Sequence, residues 1–180
     1  MKKFSKIICI ICVVVLLAAL TACADKSLYK VACSESLNRD DVFSDIVHSG
    51  IEGDLAERFD TVGQLNEFCN EKNIQVNNNE EDYKFSSAFR KKFENYNNKY
   101  FNDKSLIVVF RYKPCLEKLT FKDLQIENDT LTVNILNESK ISGAEGDSAA
   151  VITIYVYLIE VKKSAIENVE QIQVVEMDKL

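Results

Sequence analysis

The run Leu106-Ile107-Val108-Val109-Phe110 constrains this chain more than any other part of it. It is short, wholly apolar and rich in β-branched residues, so it reads as a central β-strand. The downstream sequence supplies neighbours for such a strand. Leu119 and Phe121 alternate, and Leu124 and Ile126 do so again after one extra step at Asp123, which predicts a bulge. Leu131, Val133 and Ile135 alternate cleanly. Between these two strands Asn128-Asp129 predicts a two-residue hairpin turn, since both residues tolerate the positive φ that a primed turn demands. Val151 to Val161 is a long β-branched strand with Tyr155 and Tyr157 on one face. Ile172 to Val175 predicts a last edge strand, whose charged surroundings discourage pairing with other chains.

Upstream, the period changes from two to between three and four. Thr61 to Asn73 reads as a helix: Thr61 and Gln64 have capping-box spacing, and Val62, Leu65, Phe68 and Cys69 share one face. Phe85 to Asn97 reads as a second helix, with Phe85, Phe89, Phe93 and Tyr96 as its apolar stripe. A short strand is expected within Asp54–Asp60, and the alternation of Tyr29, Val31 and Cys33 permits another at the start. Val42, Phe43, Ile46 and Val47 have helical spacing, with Gly50 as a possible stop. A helix with one apolar stripe and a sheet with one apolar face bury both by packing together. The expected fold class is α+β, two helices on a mostly antiparallel sheet of about four to six strands.

The N-terminus is of another kind. Lys2, Lys3 and Lys6 precede Ile7–Leu20, 14 apolar residues, and the run closes as Leu20-Thr21-Ala22-Cys23. That stretch is short for a spanning helix, which needs about 20 apolar residues, and suits the apolar core of an export signal. The layout resembles the signal and lipobox of a bacterial lipoprotein. In that family the cysteine receives a diacylglycerol thioether and cleavage frees its amine for further acylation. The resemblance implies lipidation at Cys23, removal of residues 1–22, and a membrane partner held through lipid on Cys23. It implies a location in the cell envelope, outside the cytoplasm. An ordinary secretory signal or a retained anchor are the alternatives. Residues 23–36 are then the lipidated N-terminus and tether, and 37–180 a single α+β domain.

In such a mature chain 28 acidic residues stand against 19 of the 22 basic ones, a net charge of −9 where the whole chain has −6. That balance argues against a nucleic-acid partner and against a basic patch docking on anionic lipid. Cys33, Cys69 and Cys115 remain after processing. Three thiols allow one disulfide at most, and buried free thiols are the leading reading, with Cys69 a core residue of its helix. No Cys-x-x-Cys pair survives, so no redox or zinc motif is indicated. His48 is the only histidine and reads as structural. Asn77–Asp82 lacks the spaced ligands and central glycine of a calcium loop, and Ser142–Ser148 lacks the Gly-Lys-Ser/Thr ending of a phosphate loop. No cofactor, metal site or catalytic residue is expected from these patterns.

From Tyr96 to Lys162 the chain resembles a further family. Tyr100-Phe101-Asn102-Asp103-Lys104-Ser105 leading into Leu106–Phe110, Lys113-Pro114 after that strand, the hairpin, and a long strand ending Ile159-Glu160-Val161-Lys162 are similar to the C-terminal domain of PrcB, a protease-complex stability lipoprotein. Where that family carries a Thr-Gly-Gly-Tyr-like segment, this chain has Cys115-Leu116-Glu117. The resemblance implies an accessory role on a protein partner and carries over no enzymatic residue. The functional expectation is a lipid-anchored, non-enzymatic interaction domain with an envelope-protein partner. A carboxylate-dependent, glycan-directed hydrolase and a small-ligand-binding lipoprotein are the alternatives.

Overall fold

A computed structural model describes residues 28–38, 55–72, 86–114, 118–138 and 152–179. Cys23, the helix expected over Val42–Val47, His48, Asn77–Asp82, Cys115 and Ser142–Ser148 lie outside these residues. The described chain runs β1 (Tyr29–Asn38), β2 (Leu55–Phe59), α1 (Val62–Glu71), α2 (Ser87–Phe93), a 3-10 turn (Tyr100–Asn102), β3 (Lys104–Pro114), β4 (Leu119–Glu127), β5 (Thr130–Asn137), β6 (Ile152–Lys162), a second 3-10 turn (Lys163–Ala165) and β7 (Gln171–Asp178). This is an α+β architecture with mostly antiparallel pairing.

The expected single sheet of four to six strands is instead two sheets. β1-β6-β3-β2 form one, all antiparallel, and β4-β5-β7 the other. The reason lies in the central strands. On β3, Leu106, Val108 and Phe110 join one apolar cluster, while Ile107 and Val109 join a second on the opposite face. β6 divides the same way, Ile154, Val156 and Leu158 against Tyr157, Ile159 and Val161. Strands that are apolar on both faces need cover on both faces. The first cluster holds Leu65 and Phe68 of α1 and Phe89 and Phe93 of α2. The second holds Leu119 and Leu124 of β4 and Leu131, Val133 and Ile135 of β5, with Ile172 and Val174 of β7 packed against it.

Local chemistry explains the element boundaries. Thr61 caps α1: its hydroxyl accepts from the Gln64 amide at 3.2 Å, and the Gln64 side chain accepts from the Thr61 amide at 3.1 Å. α2 ends at Phe93, short of the expected Asn97, and the Asn95 side-chain amide donates to the Lys91 carbonyl at 2.9 Å. Such a side chain competes with the backbone for the last helical acceptors. The aromatic stripe nevertheless continues, with ring centroids 5.2 Å apart for Phe89–Phe93, 6.0 Å for Phe93–Tyr96 and 4.8 Å for Tyr96–Tyr100.

The β4 bulge falls where the periodicity breaks, between Phe121 and Asp123. The extra residue keeps Leu119 and Phe121 on the same inner face as Leu124 and Ile126. The hairpin has two loop residues, and Asn128 alone takes a positive φ, 55°. A second bulge, between Val31 and Cys33, flips β1: Tyr29 packs on the second cluster, Ala32 and Cys33 on the first. Residues 29–36, expected as tether, therefore belong to the sheet, and the described strand begins at Tyr29. β7 pairs with β5 in parallel. Parallel neighbours need a crossover, and the chain reaches β7 from β6 of the other sheet.

Candidate functional site

Three polar assemblies interrupt the apolar layers. The first surrounds Asp60, at the end of β2. Its carboxylate accepts from the Ser105 hydroxyl, which is fully buried, and pairs with the Arg58 guanidinium at 2.9 Å. Arg58 also donates to the carbonyls of Ile166 at 2.7 Å and Val169 at 3.3 Å. The Lys163 ammonium donates to the Asp60 carbonyl at 2.9 Å and the Phe101 carbonyl at 2.5 Å. The Tyr100 hydroxyl donates to the Ser105 carbonyl at 3.1 Å. A serine beside a carboxylate invites a nucleophile reading. Here the hydroxyl is sealed, Arg58 divides its donors between the Asp60 carboxylate and two main-chain carbonyls, and Lys163 reaches two more, so the cluster fastens the β6–β7 connection to β2 and β3.

The second assembly crosses between the sheets. Arg111 continues the inward parity of Ile107 and Val109 on β3 and is 8% exposed. Its guanidinium donates to the Glu176 carboxylate of β7 at 2.8 Å, and Lys113 pairs with the same oxygen at 2.8 Å. The Asn137 side-chain amide donates to the other oxygen at 3.0 Å. Burial pushes the Glu176 carboxyl up, and the bonds from Lys113, Arg111 and Asn137 more than offset this, leaving it below the ordinary value.

The third is a cleft of about 480 Å³ between β1 and β4, the neighbouring edges of the two sheets. Ser34 and Ser36 of β1, Thr120 and Phe121 of β4, and Tyr155 and Tyr157 of β6 line it, with Lys118 at its margin. Glu35 contributes to the lining, but its side-chain oxygen Oε1 accepts from the Ser86 amide at the start of α2, 2.9 Å away. Tyr157 is 2% exposed and its hydroxyl has no hydrogen-bond partner. Burial first, then nearby Tyr155, raises its pKa, while Arg111 lowers it. A neutral hydroxyl in such a place can both donate and accept.

The residues singled out in the sequence are scattered. Cys33 and Cys69 are free thiols on different elements. Cys69 is half-buried, where full burial was expected: Leu65 and Phe68 occupy the centre of the α1 stripe, and Val62 and Cys69 lie at its margin. Burial raises the Cys69 thiol to about 11. Among the described residues no group of three or more His, Cys, Asp or Glu side chains is placed to hold a metal ion. Arg111 and Glu176 are not singled out by the sequence, and Lys113 enters there only within the Lys113-Pro114 step of the resemblance. The available signal was their parity, since Arg111 and Lys113 prolong the Ile107–Val109 series on the inward face. Compared with known protein families, curated proteins and solved structures, the chain matches none of them.

Proposed function

We propose that this is a lipid-anchored protein of the bacterial cell envelope, held at a membrane by acyl chains on Cys23, whose folded part is a non-enzymatic binding module. In this reading α1 and α2 are the cover of the four-stranded sheet, and the cleft between β1 and β4 is the contact surface. The observation that carries the reading is the composition of that cleft. It offers hydroxyls from Ser34, Ser36, Thr120 and Tyr155 beside the Phe121 ring; among its described lining residues Glu35 is the one carboxylate, bonded to the Ser86 amide through Oε1 with Oε2 buried and unpartnered, so no pair of carboxylates faces the cleft. Aromatic faces with adaptable hydroxyls suit recognition of another chain. The Asp60 and Glu176 clusters, which carry the stronger charges, tie elements together. The resemblance to the PrcB C-terminal domain belongs to the same proposal, an accessory role on a protein partner. Lipid on Cys23 would confine the module to a surface and raise its effective concentration for neighbours.

The test is site-specific photocrosslinking of the full chain in cells. A crosslinker at Ser36 and at Thr120 should trap the same envelope protein, one at Lys122 should not, and Tyr155→Phe, which keeps the ring packed on the second cluster, should weaken both adducts without lowering the melting temperature. No shared adduct, together with turnover of a glycan, ester or peptide that is abolished by changing one carboxylate, would establish the hydrolase alternative. A second reading, a small-ligand carrier, is favoured by the cleft volume, which falls in the range of roughly 300–1,000 Å³ typical of ligand pockets. Native mass spectrometry of the purified protein, showing a bound mass that Tyr155→Ala releases, would select it.

A further inference from the structure

The start of β1 brings three lysines together at one end of the four-stranded sheet. Lys104 of β3 stands directly opposite Lys162 of β6, and Lys30 of β1 stands opposite Glu160 of β6. By strand parity these residues share the face of the sheet that carries Leu106, Leu158 and Cys33, one step beyond its apolar cluster. Like charges directly across a strand pair are unfavourable. Two carboxylates stand among them: Glu160, at 3.7 Å from the Lys104 ammonium, and exposed Asp103, whose charge acts on the same Tyr100 ring. The Lys104 ammonium also lies 5.6 Å from the centre of the Tyr100 ring, and Lys99 is exposed beside it. The same end is acidic on its other side, where Glu127, Asp129, Glu167 and Glu170 are exposed around the β4–β5 hairpin and the β6–β7 connection.

We infer that this lysine edge rests on anionic membrane headgroups, resting in turn on the proposal that Cys23 is lipidated. Chain length enforces the approach. The five peptide units from Cys23 to Leu28 span at most about 18 Å, and the Leu28 carbonyl accepts from the Lys162 amide at 3.0 Å. The end that starts β1 is therefore the end at the bilayer. The screening length there is about 8 Å in physiological salt, so a mature chain at −9 would be repelled if its acidic side faced anionic lipid. Lysines near such a surface are drawn to it. Turning Lys30, Lys104 and Lys162 down and the hairpin acids away satisfies both constraints. It departs from the expectation, drawn from overall charge, that argues against a basic patch docking on anionic lipid. The Ser34–Ser36 part of β1, which lines the cleft, is then directed away from the membrane.

The test uses the full lipidated chain in vesicles of phosphatidylcholine with or without phosphatidylglycerol, probed by amine acetylation and peptide mass. Lys30, Lys104 and Lys162 should be acetylated about threefold more slowly than Lys122 in the anionic vesicles, with the difference gone near 1 M salt. Equal acetylation of these lysines and Lys122 in anionic vesicles, with the protein still sedimenting with them and lipid present on the Cys23 peptide, overturns the inference and leaves the anchor intact. An unmodified Cys23 and no sedimentation overturns both. Lys30→Gln, Lys104→Gln and Lys162→Gln together should make the protein's exposure at Lys99 insensitive to lipid charge, while Lys122→Gln should change nothing; an unchanged lipid dependence in the triple variant also counts against the lysine edge.

Discussion

Glu176 meets two cations and an amide inside the sandwich, and its behaviour follows from that arrangement. Its folded pKa lies below the ordinary value, so its contribution to stability is complete above the unfolded pKa of about 4.3 and is lost as pH falls through the folded one. Glu176→Gln should cost about 2 kcal/mol at pH 7 by leaving Arg111 under-compensated. Urea melts from pH 7 to pH 3 should show the gap between wild type and variant shrinking only below about pH 5. A gap that widens on acidification would contradict the arrangement. Cys69 is governed by burial rather than by charge. With a pKa near 11, its thiolate is roughly a thousandth of the population at pH 8. Native alkylation at that pH should therefore be slow, rising sharply on denaturation, and no disulfide should map to it. Rapid labelling of the native protein at pH 8 would refute this.

At the scale of elements, periodicity and caps carried most of the information. The Thr61–Gln64 spacing predicted a cap that the backbone bonds reproduce, with Gln64 also accepting from the Asp60 amide at 2.8 Å. Thr61→Ala should lower stability by about 1 kcal/mol, measured by denaturant unfolding. A loss no larger than that of an exposed control such as Asn66→Ala would show that the cap is dispensable. The β4 bulge was equally legible, because Leu119-Phe121 and Leu124-Ile126 cannot share a face without one extra residue. The turn was half legible: Asn128 takes the left-handed conformation that Asn tolerates and Asp129 does not. The end of α2 was misplaced because the aromatic stripe continues past the helix into turns. Apolar spacing reports which side chains reach the core, whatever backbone delivers them.

At the scale of the whole molecule, one strand pair holds both cores. β3 and β6 divide their side chains between the two clusters, so damage there spreads to each. Ile107→Ala should cost about 2–5 kcal/mol and Phe89→Ala about 3–5, with unfolding remaining a single transition by both circular dichroism and fluorescence. Two separated transitions would mean that the layers fold independently. Cys23→Ala should leave the full chain unlipidated and with residues 1–22 uncleaved, since the thiol that receives the lipid is gone. A wild-type mature N-terminus without lipid on Cys23, read by mass spectrometry, would remove the lipoprotein reading.

The sequence by itself determined the strands, the capped helix, the bulge and the α+β class, since each rests on local spacing or on a cap within four residues. Only the tertiary structure decided that the strands form two sheets. Apolar parity reveals that β3 and β6 are buried on both faces but not what covers the second face, and a sheet or helices would satisfy it equally. The parallel β5–β7 pair, the Arg58 clasp on the Ile166 and Val169 carbonyls, and the Arg111–Glu176 bond join residues far apart in the chain. The cleft exists because β1 and β4 end up side by side, one from each sheet. Such contacts depend on how whole layers are stacked, and no window of sequence contains both partners.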